Sequence, residues 1–322
     1  MSRPLVHEMT RSRRISSACI RVWWDGWMRA AVFPALSVVL TCAVFATGCG
    51  TQDGAGGGKA AVSEGSALPG DPDDLARDGV RITGMTGWSR QETPPVISAE
   101  FEVTNRESEP FTYTITFDGL SGHGEVVENT KQTVPEVGPG RTVGRTVRLV
   151  GSSPDGRGRV RIAEVRRVPA AEAPAESGPC PPSGVRLTAD DGDAAMGLRV
   201  VGLRLTNCGT RAYRLNGFPL LELLDENRKP APAVKVVKGG GGIATVAGFD
   251  APARPVVLEP GQTARAGLMW RNTTDAGGTA VNVPYVRVKA KPGAPPVMVT
   301  PELDLGTTGK LAVSSWRKDP AR

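Results

Sequence analysis

The sequence predicts an all-β protein: two β-sandwich domains set behind an export signal and a flexible tether. Three observations lead there. Short segments alternate apolar and polar residues with the period of two that a one-sided strand needs. Gly, Pro and Asn clusters punctuate these segments about every ten residues, which is the spacing of turns in a sandwich. No convincing amphipathic helix pattern appears anywhere in the exported part of the chain.

The segments divide into two sets. In residues 80–168, the stretch 96–105 alternates through Ala99, Phe101 and Val103, and the turn Asn105-Arg106-Glu107-Ser108-Glu109-Pro110 follows. Phe111-Thr112-Tyr113-Thr114-Ile115-Thr116-Phe117 sets aromatic and β-branched residues against threonines. A turn at Gly138-Pro139-Gly140 precedes Val143, Val147 and Leu149, and residues 159–165 give a last strand. In residues 183–316, the stretch 197–206 alternates through Leu198, Val200, Leu203 and Leu205, with Gly202 read as a bulge. Residues 220–224 read as a buried strand, 239–242 as a mobile glycine loop, and 256–258, 264–270, 283–288 and 311–316 as further strands. Val137-Gly138-Pro139-Gly140-Arg141-Thr142 and Leu258-Glu259-Pro260-Gly261-Gln262-Thr263 share an apolar-x-Pro-Gly-x-Thr form before a strand, which suggests two similar sandwiches.

Two linkers separate these parts. Residues 49–79 are rich in Gly and Asp and poor in large apolar residues, so ordering them is not offset by burial. As a flexible coil, such a tether reaches about 30 Å. Residues 169–182 are rich in Ala, Glu and Pro and read as a stiffer spacer that keeps the two cores apart. Residues 317–322 read as a tail.

Residues 1–48 give the address. An apolar run at 30–46 follows Arg29 and ends in small residues against Cys49. That is a signal-peptide core, with an uncleaved membrane anchor and plain secretion as the alternatives. Arg13-Arg14 fits a twin-arginine signal only loosely, and a true start at Met28 accounts more simply for the long basic leader. The formal charge is +6, and removing residues 1–48 takes away six Arg, one Glu and one Asp and leaves +2. The basic balance therefore belongs mostly to the export segment and gives no reason to expect a nucleic acid partner.

Five cysteines sort by this address. Cys19 and Cys42 leave with the signal. Ala46-Thr47-Gly48-Cys49 resembles the processing box of bacterial lipoproteins, with Ala46 where Leu is usual. In that family the peptidase cuts before the Cys, whose thiol carries a diacylglyceryl group; two acyl chains make a stable anchor where one gives only marginal binding. Cys180 and Cys208 remain as an even pair in an oxidising compartment, where a disulfide is the expected state. Its loss is expected to weaken mainly the second domain, by roughly 2–4 kcal/mol.

Residues 180–316 resemble a domain of unknown function common in secreted and lipid-anchored proteins of high-G+C Gram-positive bacteria. The carrying residues are Cys180, then Asn207 and Cys208 in a turn, Gly217-Phe218-Pro219 in place of Gly-Tyr-Pro, and Leu258, Pro260-Gly261 and Trp270. A later cysteine pair found in many members is missing from 281–285 and 305–310. The resemblance implies a fold and an address, with no known activity. The first domain resembles immunoglobulin-like surface modules, so the fold class is two immunoglobulin-like β-sandwiches.

Candidate chemistry is sparse. His123 is the one histidine past residue 48; it lies in Ser121-Gly122-His123-Gly124-Glu125 and reads as a solvated loop residue rather than a base for Ser121. Asp190, Asp191 and Asp193 around Gly192 read as a hairpin turn before a calcium loop. The run 239–242 lacks the Lys-Ser/Thr of a phosphate loop. Trp88, Trp270 and Trp316 are read equally as core or as surface residues, with a sugar-stacking platform as a minor alternative. The expected function is that of a non-catalytic cell-surface lipoprotein on the outer face of the plasma membrane. It would need no catalytic residue, cofactor or metal, and its partner would be an extracellular protein or glycan. The alternative is a hydrolase acting on cell-wall material.

Overall fold

The structure, a computed structural model, describes residues 71–89, 91–151, 156–274 and 278–319. Cys49 and the export segment lie outside these residues. Almost all regular structure is β, in two sandwiches. The first is built from β1 (Ala76–Arg77), β2 (Val80–Met85), β3 (Val96–Thr104), β4 (Phe111–Ser121), β5 (Val126–Val137), β6 (Thr142–Val150) and β7 (Gly158–Pro169). One sheet has the order β1-β2-β3-β6 and the other β5-β4-β7. The alternation in β3 points Ile97, Ala99, Phe101 and Val103 inward, against Tyr113, Ile115 and Phe117 of β4. Phe101 and Phe117 meet across the sheets with ring centroids 4.8 Å apart, close enough for an aromatic pair to add to the burial.

The second sandwich comprises β8 (Val185–Ala189), β9 (Asp193–Ala195), β10 (Leu198–Asn207), β11 (Tyr213–Leu215), β12 (Leu220–Leu224), β13 (Lys235–Lys238), β14 (Val256–Leu258), β15 (Thr263–Arg271), β16 (Asn282–Val283), β17 (Tyr285–Lys289), β18 (Pro296–Val299), β19 (Leu303–Asp304), β20 (Lys310–Val313) and β21 (Arg317–Lys318). Its large sheet runs β13-β20-β15-β10-β8, with β9 on β10 and β21 on β15. The sheet β12-β17-β18 and the pairs β11-β14 and β16-β19 cover its inner face. Leu203, Leu205, Leu268, Trp270, Val286, Val288 and Trp316 are in the shared core.

Several expectations change. Gly202 is no bulge: β10 and β15 stay in register through it, with Gly202 opposite Gly267. The strand at 220–224 is only half-buried, since Leu220 and Glu222 face solvent. Within the glycine run, Gly239 and Gly240 are buried, and the Gly239 and Gly240 amides donate to Val313 O and Asp250 Oδ1. Arg317 and Lys318 are a strand rather than a tail. The last tether residues are folded too: Asp71 caps a single helical turn, α1 (Pro72–Leu75), and β1 pairs with β2. Strands β2 and β5 carried weak signals. Gly84 interrupts β2, and β5 is mostly exposed, with Pro135 near its end.

One device occurs in both sandwiches. Asn105, just past β3, is fully buried. Its Nδ2 donates to the Glu109 and Val137 carbonyls at 2.8 Å each, and its Oδ1 accepts from the Glu107 amide at 2.9 Å. Its main chain pairs with the turn, donating to Arg141 O and accepting from the Gly140 amide. Asn207, at the end of β10, repeats each contact. Its Nδ2 donates to the Arg211 and Leu258 carbonyls at 2.8 Å, and its Oδ1 accepts from the Gly209 amide at 3.1 Å. Its main chain pairs with Gln262 O and the Gly261 amide. The preceding residues match as well, for Thr104 and Thr206 share hydroxyl hydrogen bonds with Thr142 and Thr263. The repeated Pro-Gly turns are thus the receiving halves of two equivalent clasps, with Gly140 at φ 65° and Gly261 at φ 81°, where a Cβ would be strained.

Each clasp satisfies carbonyls that would otherwise be buried without a donor, at about 1–3 kcal/mol per group. Asn105→Ala and Asn207→Ala should each lower stability by about 2–4 kcal/mol. Urea denaturation measures this, and a loss below about 1 kcal/mol would show that water replaces the amide.

Candidate functional site

The disulfide joins Cys180 to Cys208 with Cα atoms 5.6 Å apart. It fastens the segment ahead of β8 to the turn after β10, where the Cys208 and Gly209 amides also donate to Gly184 O. Cys208 directly follows the Asn207 clasp, so the covalent link and the buried amide secure one corner.

The spacer read at 169–182 does not keep the cores apart. Its first residues form a short 3₁₀ turn, Ala170–Glu172, and Ala173 packs with Val168, Leu224, Tyr285 and Met298 in a small apolar cluster between the sandwiches. Arg166 of β7 stands beside it with only 14% of its side chain exposed. Its guanidinium grips Glu302 through Nε at 2.6 Å and Nη2 at 2.5 Å, reaches Glu226 at 3.0 Å and pairs with Glu164 at 2.7 Å. It also lies 5.9 Å from the Tyr285 ring centroid. Burial works against the charged form of Arg166, but the carboxylates outweigh it and hold the proton more tightly than usual. Burial, then Glu302, pushes the Glu164 carboxyl above the ordinary carboxylate range, against the pull of Arg166.

A second set of contacts flanks the first. Arg228 bonds Glu107 at 3.3 Å and lies over the Phe111 ring at 4.8 Å, Arg167 also pairs with Glu107, and Arg287 pairs with Glu172 at 2.8 Å. Glu302 and Arg228 have φ of 53° and 59°. Side-chain-bearing residues seldom adopt that region, and the surrounding contacts hold it here. No local sequence signal marks this joint, because its residues come from 107, 164–173, 224–228, 285–287 and 298–302.

The Asp190 hairpin is the second feature. Asp190 Oδ1 accepts from the Gly192 and Gly202 amides at 3.1 and 2.7 Å. A Cβ on Gly202 would come 2.3 Å from the Asp190 carboxylate, and one on Gly267 would come 2.7 Å from the Phe249 ring. Asp190 and Phe249 thus pack onto the two glycines, and a cleft of about 440 Å³ opens beside them on the outer face of the large sheet. Asp190, Asp191 and Asp193 form one rim, and Phe249, Arg265 and Arg317 stand at the other sides. On the far side of the hairpin, a smaller hollow of about 260 Å³ holds Arg199, Glu302 and Asp304. Asp304 accepts from Trp270 Nε1 at 2.8 Å, Asn272 Nδ2 at 3.0 Å and Arg199 Nη2 at 3.2 Å. Burial raises its carboxyl pKa, but these donors outweigh that and leave it below the ordinary aspartate value.

The remaining candidates are placed as follows. His123 is exposed in the β4–β5 hairpin, its amide donating to Ser121 Oγ at 3.3 Å. Trp88, Trp270 and Trp316 are all buried, with their Nε1 atoms donating to Leu120 O, Asp304 Oδ1 and Ala290 O, so they form no stacking platform. Phe218 packs on the second core with Lys238 above its ring at 5.2 Å. Among the described residues, no group of three or more His, Cys, Asp or Glu is gathered to hold a metal ion. Among them too, no helix is long and apolar enough to cross a membrane.

Residues 180–317 match the family model described as Domain of unknown function (DUF4232). No curated protein matches the chain. Among solved structures, the crystal structure of red sea bream transglutaminase aligns with 74% of this chain at 10% identity and a TM-score of 0.16. The aligned part spans 31% of that protein. A likeness at that score carries no argument.

Two outcomes follow from the joint and the hollow. Arg166→Met keeps the apolar stem but leaves three carboxylates facing one another, so it should cost about 2–4 kcal/mol. A double-mutant cycle with Glu302→Gln should show strong coupling, and additive losses would contradict the grip. The lowered pKa of Asp304 stabilises the fold above the ordinary aspartate pKa, and that contribution disappears as pH falls through the lowered value. Asp304→Asn should therefore cost about 1 kcal/mol at neutral pH, given the half-exposed site, and the difference from wild type should shrink toward acid. Urea midpoints measured across pH test this, and a difference that stays constant would contradict it.

Proposed function

We propose that the chain is a non-catalytic lipoprotein, anchored through lipid on Cys49 at the outer face of the plasma membrane, that presents its two sandwiches as a binding or structural module. The processing box Ala46-Thr47-Gly48-Cys49 after an apolar run carries this reading. Two further features support it. A disulfide downstream suits an oxidising compartment. Residues 180–317 match the domain type that the sequence likened to secreted and lipid-anchored proteins of high-G+C Gram-positive bacteria. The partner is an extracellular protein or glycan, and the exposed cleft on the second sandwich supplies a concave surface of ligand size.

Intact-mass analysis of membrane fractions tests the anchor. The expected species begins at diacylated Cys49, and Cys49→Ala should move the protein out of the membrane fraction. A soluble wild-type protein starting at another residue would overturn the anchor. Reproducible hydrolysis of a wall substrate by the purified chain would overturn the non-catalytic reading.

A further inference from the structure

The outer face of the large sheet in the second sandwich has three rows. In the first, Arg204 of β10 stands opposite Arg265 of β15, which stands opposite Arg317 of β21. All three side chains are exposed and share one face, because the residues flanking them in β10 and β15 point into the core. The second row is the pair Gly202 and Gly267. In the third, Val200, Met269 and Ala312 lie beneath the residues that carry Phe249 and Val246. The Asp190 carboxylate lies over Gly202 and the Phe249 ring over Gly267, and the cleft opens between these side chains and the guanidinium groups of Arg265 and Arg317.

The arginine row is unusual in energy terms. Side chains directly opposite on neighbouring strands lie about 4.5–5.5 Å apart at Cβ, and like charges placed so repel. Arg265 has one carboxylate, Asp319, bonded to its Nε at 2.9 Å. No carboxylate pairs with Arg204 or Arg317 among the described residues. Nη1 and Nη2 of Arg265 also stay open, because Asp319 takes only the Nε edge. An oxyanion between the guanidiniums would relieve this repulsion with charge-assisted hydrogen bonds.

The acidic hairpin at one end of the cleft selects what the oxyanion is attached to. Asp190 spends Oδ1 on two backbone amides, Asp191 is paired with Lys131 at 3.2 Å, and the exposed carboxylate of Asp193 stands beside them. These groups accept hydrogen bonds from hydroxyls and repel anions. A flat anionic membrane would meet that repulsion along with the arginines. A sugar carrying one anionic group meets the acceptors with its hydroxyls and the arginines with its charge. We propose that this cleft binds an anionic saccharide unit: a phosphate or carboxylate on the arginine row, the ring between the Asp190 hairpin and Phe249, and hydroxyls toward Asp190 and Asp193. The proposal rests on the binding-module reading and names the ligand class for it.

Calorimetric titration of the full chain tests this with four probes: trigalacturonate, glucose 1-phosphate, uncharged maltotriose and phosphatidylglycerol vesicles. The first two separate a carboxylate from a phosphate ligand. At least one of these charged saccharides should bind, maltotriose should bind about tenfold more weakly or worse, and raising salt to about 0.5 M should weaken binding. Arg317→Gln and Arg265→Gln should each lower affinity by about tenfold. Arg145→Gln, an exposed arginine on the first sandwich, should leave it unchanged, and circular dichroism confirms that the variants fold. Equal binding of maltotriose, undiminished binding in folded Arg317→Gln, no binding of either charged saccharide, or binding to the vesicles alone would overturn the proposal. Any of these results leaves the mass test at Cys49 standing, so the two readings fail separately.

Discussion

A buried asparagine amide closes each sandwich, and the rest of the architecture depends on it. In both halves the carboxamide follows a core strand, donates to the carbonyl four residues on, and donates again to the carbonyl of the apolar residue that opens the Pro-Gly turn. A sandwich core is non-directional, since apolar side chains set no fixed relation between the sheets. The amide supplies the direction, because its geometry is satisfied in one arrangement only. In the second half the clasp adjoins the disulfide at Cys208, so the start of that domain and the turn after β10 are held both covalently and by hydrogen bonds.

The joint does for the pair what the clasps do for each member. The apolar cluster of Val168, Leu224, Tyr285 and Met298 is small, and by itself would leave the two halves free to slide. Arg166, bound to Glu302 along one edge through Nε and Nη2 and paired with two more carboxylates, fixes the register. The left-handed backbone at Glu302 and Arg228 places strain where pre-organised side chains meet. The cleft proposed to bind a saccharide lies on the second sandwich, so its orientation relative to the first is set by Arg166 and its partners.

The sequence made the fold legible where one physical signal dominated. The alternations in 96–105 and 111–117 became β3 and β4 because each had a single buried face. The turn phrase at Pro139-Gly140 and Pro260-Gly261 correctly suggested related turns, and Thr104-Asn105 with Thr206-Asn207 could have completed the match. Where the signal was indirect, reading failed. Gly202 looks like a bulge in sequence, but its missing Cβ serves Asp190, a residue twelve positions away. Residues 169–173 look like a spacer by composition, yet small Ala residues are what a close approach between sandwiches requires. The arginine row was invisible because 204, 265 and 317 become neighbours only through strand register.

With the clasps and the joint in place, the two sandwiches should behave as one body. Native-state hydrogen exchange with mass spectrometry addresses it directly, comparing peptides from β3 and β4 with peptides from β10 and β15 as denaturant is raised. Both sets should open together in the global transition, and reducing the Cys180–Cys208 bond should lower the protection of both. Separate openings, with β3 and β4 unaffected by reduction, would mean two independent domains on a string and would contradict it.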